Sequence, residues 1–233
     1  MTELNLELRG SDLLGKDWTW PADDKTTWRF FNKATHVFDG LEYHAYLLPT
    51  EISELLPESE RNLIIQAGGN AGLYPKQYSK LFKKVMTFEP DHRWFACLTN
   101  NVPELNVFKY QACLGSKFDS LGLDFNPNIT GGAQNLGAIR TVETGTIPQV
   151  TIDSLNINPD LIHLDIEGYE GHALSGAIET IKRALPMIVI ETNNLGEPYG
   201  WPDEKLLELF SSLDYIEVKN WHHDKAFKHK SKI

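Results

Sequence analysis

From residue 62 onward the chain alternates between short apolar runs and segments whose apolar residues recur at helical spacing. The runs are Asn62–Gln66 (NLIIQ), Val85–Phe88 (VMTF), Val107–Cys113, Leu161–Asp165 and Met187–Glu191 (MIVIE). Each has the length of a strand, and most are apolar at successive positions, as strands buried on both faces are. Between them Leu73, Tyr78, Leu81, Phe82 and Val85 mark one helix. Trp94, Phe95 and Leu98 mark a second behind the N-cap Asp91, and Leu174, Ala177, Ile178 and Ile181 a third. A fourth helix is expected near Asp203–Ser212, and two closing strands at Tyr215–Lys219 and Lys225–Lys230. Strands and helices in this rhythm make βαβ units. The expectation is an α/β, Rossmann-like doubly wound fold, its mostly parallel sheet covered by helices on both faces.

Two stretches break the rhythm. Residues 115–135, rich in Gly, Asn and Pro, predict a long surface loop, followed by a hairpin from Ala138–Val142 and Gln149–Leu155. Residues 1–60 read as an N-terminal extension packed on a main domain of residues 61–233, with Trp18, Trp20, Trp28, Tyr43 and Tyr46 as its aromatic anchors. Twelve acidic against five basic residues in that extension contribute most of the net charge of −10. An acidic body repels phosphate backbones, which argues against nucleic acid as the main partner. No apolar run reaches the roughly 20 residues of a membrane span, and the opening MTELNLELRG lacks the order of a signal peptide. With only Cys97 and Cys113 there is no disulfide framework, so a cytoplasmic protein is expected.

The chemistry-bearing residues cluster where strands end. The first strand runs into Gln66-Ala67-Gly68-Gly69-Asn70-Ala71-Gly72 and then a helix. Such a turn lets a ligand approach the backbone closely beneath a helix N-terminus. Asn70 stands where a dinucleotide fingerprint has its second glycine, and no phosphate loop is present, so a ligand without phosphates fits better than NAD. Glu89 ends the second strand, placed to accept hydrogen bonds from ribose hydroxyls. In Leu161–Gly168 (LIHLDIEG) the period of two sets His163, Asp165 and Glu167 on one side of the strand, and Glu191 ends its neighbour. Ionisable groups at the carboxyl end of a central strand point to a site.

Together these residues resemble the FkbM-type methyltransferases, a branch of the class I S-adenosylmethionine-dependent enzymes. The resemblance spans about Asn62 to Glu191. It rests on the turn GGNAG, on FEP, on Ala112-Cys113-Leu114-Gly115, on TIDSL at 151–155, and on LDIEGYEGHALSGA. It implies S-adenosylmethionine as cofactor, with Gln66, Gly68, Asn70 and Gly72 at its methionine end, Glu89 on its ribose, and Ala112 and Asp165 also lining its site. It implies transfer of a methyl group to a hydroxyl of a sugar or other small molecule. Glu167 and Glu191, by their places at the strand ends, are the candidate contacts to that acceptor, and no resident metal is expected. Asp165 and His163 are the candidate catalytic pair. The family has an acidic residue at the position of Gln66 and a lysine at that of His163, and the latter change puts a titratable imidazole in place of a fixed charge. Two other readings are an NAD-dependent oxidoreductase and a catalytically inactive methyltransferase-like binding domain.

Overall fold

A computed structural model of the chain describes residues 4–10, 17–24, 27–28, 36–38, 41–43, 47–124, 140–221 and 223–233. At the amino end lie strands β1 (Leu6–Arg9) and β2 (Trp18–Pro21), paired antiparallel. A second hairpin, β3 (His36–Phe38) and β4 (Leu41–Tyr43), and helix α1 (Leu48–Glu54) follow. The βαβ series comes next: β5 (Leu63–Ala67), α2 (Leu73–Tyr78), β6 (Lys84–Phe88), α3 (His92–Asn101) and β7 (Val107–Tyr110). Short β8 (Cys113–Leu114), β9 (Asp119–Asp124) and long β10 (Arg140–Val150) interrupt it. It resumes with β11 (Leu161–Leu164), α4 (Glu170–Ser175), α5 (Ile178–Ala184), β12 (Met187–Glu191) and α6 (Asp203–Ser212), and closes with β13 (Tyr215–Trp221) and β14 (Asp224–His229).

The main sheet has the order β13-β14-β12-β11-β5-β6-β7, parallel from β12 to β7 and antiparallel at β14 and β13. The chain enters at β5, winds out to β7, then returns to lay β11 on the other side of β5. Strand order therefore reverses between β5 and β11, the place where ligands bind in open α/β sheets. Alternate residues feed two cores. Ile65, Ile162, Leu164, Ile188 and Ile190 pack under α4, α5 and α6, while Ile64, Leu161, Met187 and Val189 pack under α1, α2 and α3. Each such aliphatic side chain contributes about 1.5–3 kcal/mol by leaving water, which is why the central strands carry so few polar residues.

Five local expectations need correction. The helix marked by Leu73 to Val85 ends at Tyr78, and Val85 belongs to β6. The strand expected over Val107–Cys113 ends at Tyr110; Cys113 and Leu114 belong to a separate three-stranded ribbon, parallel to Gln149 and Val150. Asp119–Asp124, expected as loop, is a strand of that ribbon, antiparallel to Arg140–Gln149. The hairpin is thus β9 with β10, and residues 153–155 are a helical turn rather than its second strand. The sequence hides this because β9 buries only Leu121 among its residues. The helix marked by Leu174–Ile181 is two helices. Gly176 lies against Gly115, where an added Cβ would come within 2.1 Å of the Gly115 carbonyl oxygen. Asp153 then starts α5 by accepting from the backbone N–H of Thr180 at 2.7 Å and of Glu179 at 3.2 Å.

In the amino-terminal extension, Trp20 is fully buried, edge-on to Trp94 of α3 at 5.0 Å and to Trp28 at 4.9 Å. Its indole N–H donates to Asp24. Tyr46, residues 125–139 and the side chain of Tyr43 lie outside the described residues. Among the described residues no helix is long and apolar enough to cross a membrane.

Candidate active site at the switch point

The glycine turn is built by backbone contacts between β5 and its two neighbours. Gly68 and Gly69 both donate to the Phe88 carbonyl, at 3.1 and 3.0 Å. On the other side Asp165 donates its N–H to Ala67. A Cβ on Gly68, whose φ is +85°, would sit 1.9 Å from the Asp165 carbonyl oxygen. Position 68 must be glycine because two strand ends meet there, and this brings Gly68 and Asp165 together. Asn70 follows in the left-handed region at φ 45°, an uncommon conformation that asparagine tolerates better than most residues.

Glu89 ties this turn to β6. Its Oε2 accepts from the Asn70 N–H at 2.6 Å and its Oε1 from the Asp91 N–H at 2.9 Å. Burial raises its pKa and the two N–H groups oppose the rise, leaving it at about 8. In its ionised form a carboxylate has about four acceptor positions, of which these two bonds use two. Asp91 caps α3 as expected, accepting from Arg93 and Trp94.

Three residues expected to touch cofactor also have contacts of their own within the protein. Gln66 is wholly buried; its Nε2 donates to the Ala67 and Gly68 carbonyls at 3.0 Å, and its Oε1 accepts from the Thr87 hydroxyl. It shapes the turn from within. Gly72 faces α3, where an added Cβ would come within 2.4 Å of Val102. Ala112 packs into the core under α4 and α5.

The carboxyl ends of β11 and β12 hold a crowd of carboxylates. Burial raises Asp165 to about 6. Glu167 rises to about 8, through burial first and then the charges of Asp165 and Glu170, with Arg140 opposing. Glu191 is driven furthest up, by burial and then by Asp165, Glu167, Asp224 and Glu170. Glu191 lies directly opposite Asp224 in the β12–β14 ladder, two like charges on one pair. Glu167 is held at φ 57° before Gly168 at φ 98°. Glu170 is buried and accepts from the Ile166 N–H at 2.9 Å, which fixes the loop that presents Glu167. Glu170 and Asp224 were not read as site residues from sequence. For Glu170 the signal was its place in LDIEGYE; for Asp224 only the antiparallel pairing reveals it. The ribbon is fastened to this loop by the Tyr169 hydroxyl on Gln149 (2.9 Å), and to the segment after β12 by the Tyr199 hydroxyl on the Thr141 carbonyl (3.0 Å). Among the described residues no three His, Cys, Asp or Glu side chains are placed to hold a metal ion.

His163 does not share this space. It is fully buried beneath α2, with Nδ1 2.8 Å from the Tyr78 hydroxyl and its ring stacked on Tyr74 at 5.4 Å. Burial lowers its pKa to about 3, leaving it neutral and a poor base. The alternation that put it beside Asp165 fails because β11 ends at Leu164, and beyond that point the backbone no longer keeps a period of two.

The methyltransferase FkbM domain model matches residues 66–217, well over half of the chain and all of the strand ends just described. The chain belongs to the FkbM methyltransferase domain family. No curated protein sequence matches it significantly. Solved structures that resemble it include the FkbM methyltransferase of Methylobacillus flagellatus, at 18% identity and a TM-score of 0.48. That match covers 72% of this chain but 43% of the other, so the chain spans less than half of that relative. A TehB-like SAM-dependent methyltransferase of Corynebacterium glutamicum matches at 17% identity and a TM-score of 0.45, over 78% of this chain and 86% of that one. The magnesium protoporphyrin IX methyltransferase of Synechocystis, with bound S-adenosylmethionine, matches at 7% identity and a TM-score of 0.46, over 80% of each. Family membership rests on the match over residues 66–217, and the strand order over that stretch is that of a Rossmann-like α/β unit.

Proposed function

We propose that the chain transfers a methyl group from S-adenosylmethionine to a hydroxyl of a sugar or other hydroxyl-rich small molecule. The observation that carries this reading is the meeting of Gly68 and Asp165 at the switch point, beside a turn that Glu89 anchors. The cofactor brings a methyl group already activated on a sulfonium. Gly68 and Asn70 line the place for its amino-acid end. Glu89, raised like Glu167 to about 8 in the ligand-free chain, is drawn toward its ionised form by the Asn70 and Asp91 N–H groups, and ribose hydroxyls donating to it would carry that further. Asp165, adjacent to the turn, would take the hydroxyl proton as the acceptor oxygen displaces the sulfur from the methyl carbon, leaving S-adenosylhomocysteine. An ordinary aspartate is too weak a base near neutrality, and a pKa near 6 brings this one closer to its task. Glu167 and Glu191, pushed above the usual carboxylate range, keep protons at neutral pH and donate hydrogen bonds to neighbouring hydroxyls. That donor set fits a neutral glycan or polyol better than an anionic acceptor, and argues against nucleic acid.

Titration calorimetry with S-adenosylhomocysteine and with NAD tests the cofactor half. Binding of the first and not the second is expected; the reverse result replaces the methyltransferase reading with an oxidoreductase. Cofactor binding without methyl transfer to any hydroxylated acceptor supports the inactive binding domain instead.

A further inference from the structure

Asn101 ends α3 on the side away from Glu89, and its side chain is 2% exposed. Its Oδ1 accepts from the Thr19 N–H at 2.8 Å, and its Nδ2 donates to the Thr19 carbonyl at 2.9 Å. The same Nδ2 donates to the Ala71 carbonyl at 2.8 Å. An amide that accepts from the N–H and donates to the C=O of one residue reproduces the exchange between antiparallel strands. Asn101 thus stands in for a strand beside β2, and Thr19 turns these backbone groups away from its β1 partner Leu8. Ala71 is the residue after Asn70, so one side chain joins β2 to the glycine turn. Trp20 and Trp94 close over the same spot with Ala71 and Cys97.

We propose that Asn101 is a positioning residue for the cofactor turn, and that the amino-terminal hairpin β1–β2 is part of the cofactor-binding unit. The turn is held at Asn70 by Glu89 and at Ala71 by Asn101, one on each side. Asn70 pays for a left-handed backbone, and a conformation of that kind persists only where its surroundings over-determine it. Release of the Ala71 carbonyl loosens the segment that receives the methionine end of the ligand, while Glu89 stays on β6 to hold the ribose. By linkage, the ligand in turn steadies the hairpin. The inference rests on the reading of the glycine turn as an S-adenosylmethionine site.

The test uses the full chain, titrated with S-adenosylhomocysteine and with methylthioadenosine, which lacks the amino-acid end. In Asn101→Ala the affinity for S-adenosylhomocysteine should fall about 3- to 10-fold, the worth of one neutral hydrogen bond, with methylthioadenosine within about twofold of wild type. Asn101→Asp keeps the acceptor toward the Thr19 N–H but removes the donor to both the Ala71 and the Thr19 carbonyls, setting a carboxylate against them, so it should show the same split more steeply; the hydrogen-exchange measurement on wild type tests the coupling if neither variant folds. In wild type, S-adenosylhomocysteine should slow hydrogen exchange across Trp18–Pro21. Equal loss for both ligands, no loss for either, or unaltered exchange overturns the positioning role. Failure of wild type to bind S-adenosylhomocysteine overturns the underlying cofactor reading instead.

Discussion

At the ends of β5 and β6 the Glu89 carboxylate meets two backbone N–H groups, and the turn beside it is pinned on both flanks. At the ends of β11 and β12, Asp165, Glu167, Glu170, Asp224 and Glu191 crowd together, and their charges favour a proton on Glu167 and Glu191, with Arg140 opposing at Glu167. Burial raises the proton affinity of Glu89, Glu167 and Glu191 alike. At Glu89 two donated N–H bonds oppose the rise and hold a turn, whereas at Glu167 and Glu191 neighbouring carboxyls add to it, at a cost in stability.

Asp165→Asn should break the comparison hardest. It removes the proposed base while leaving the Glu89-held turn intact, so turnover should fall by about 10²–10⁴-fold with S-adenosylhomocysteine affinity nearly kept, in rate and calorimetric assays on any acceptor the wild type methylates. A parallel collapse of cofactor affinity would place Asp165 on the cofactor side. Gly68→Val comes next. The sequence alone suggests that a branched side chain there occupies the ligand's approach in a folded protein; the structure places its Cβ against the Asp165 carbonyl. Denaturant unfolding should show a loss of about 3 kcal/mol or more, from overpacking and an unfavourable φ. Normal stability in that variant would mean the strand ends do not meet as described.

Glu89→Ala should weaken S-adenosylhomocysteine binding by about 1.5–3 kcal/mol, the range for hydrogen bonds to a charged group; unchanged calorimetric affinity in a folded variant would remove the ribose assignment. The smallest effect is on the acceptor side. Acids whose folded pKa is raised keep protons that the unfolded chain has released, so they lower stability as pH rises toward the folded value. His163 works the other way, but only from about 3 to its ordinary 6.5. From about pH 6.5 to 8 the raised carboxyls act without it, and the melting temperature of the ligand-free chain should fall across that window. Glu191→Gln should flatten the fall and raise the melting temperature at pH 8 by roughly 2–4 °C, about 1 kcal/mol for a chain of this size. A steeper fall in the variant would show that Glu191 is paired rather than repelled.

The amino-acid sequence by itself determined the parallel core, because strands buried on both faces must be apolar at successive positions and leave an unmistakable pattern. It also determined the glycine turn, Glu89 and the LDIEGYE loop, since each depends on residue type at a strand end. Only the tertiary structure decided which polar residues face the site. Gln66 and His163 look like site residues in sequence, yet their partners are the Thr87 hydroxyl and neighbouring carbonyls in one case and Tyr74 and Tyr78 in the other. The β9–β10 ribbon, the break at Gly176 and the Asn101 bridge to Thr19 were likewise invisible. Each depends on residues distant in the chain approaching within hydrogen-bonding or van der Waals range. Local periodicity carries no record of such contacts, because the backbone groups and bulky neighbours that define them belong to other elements.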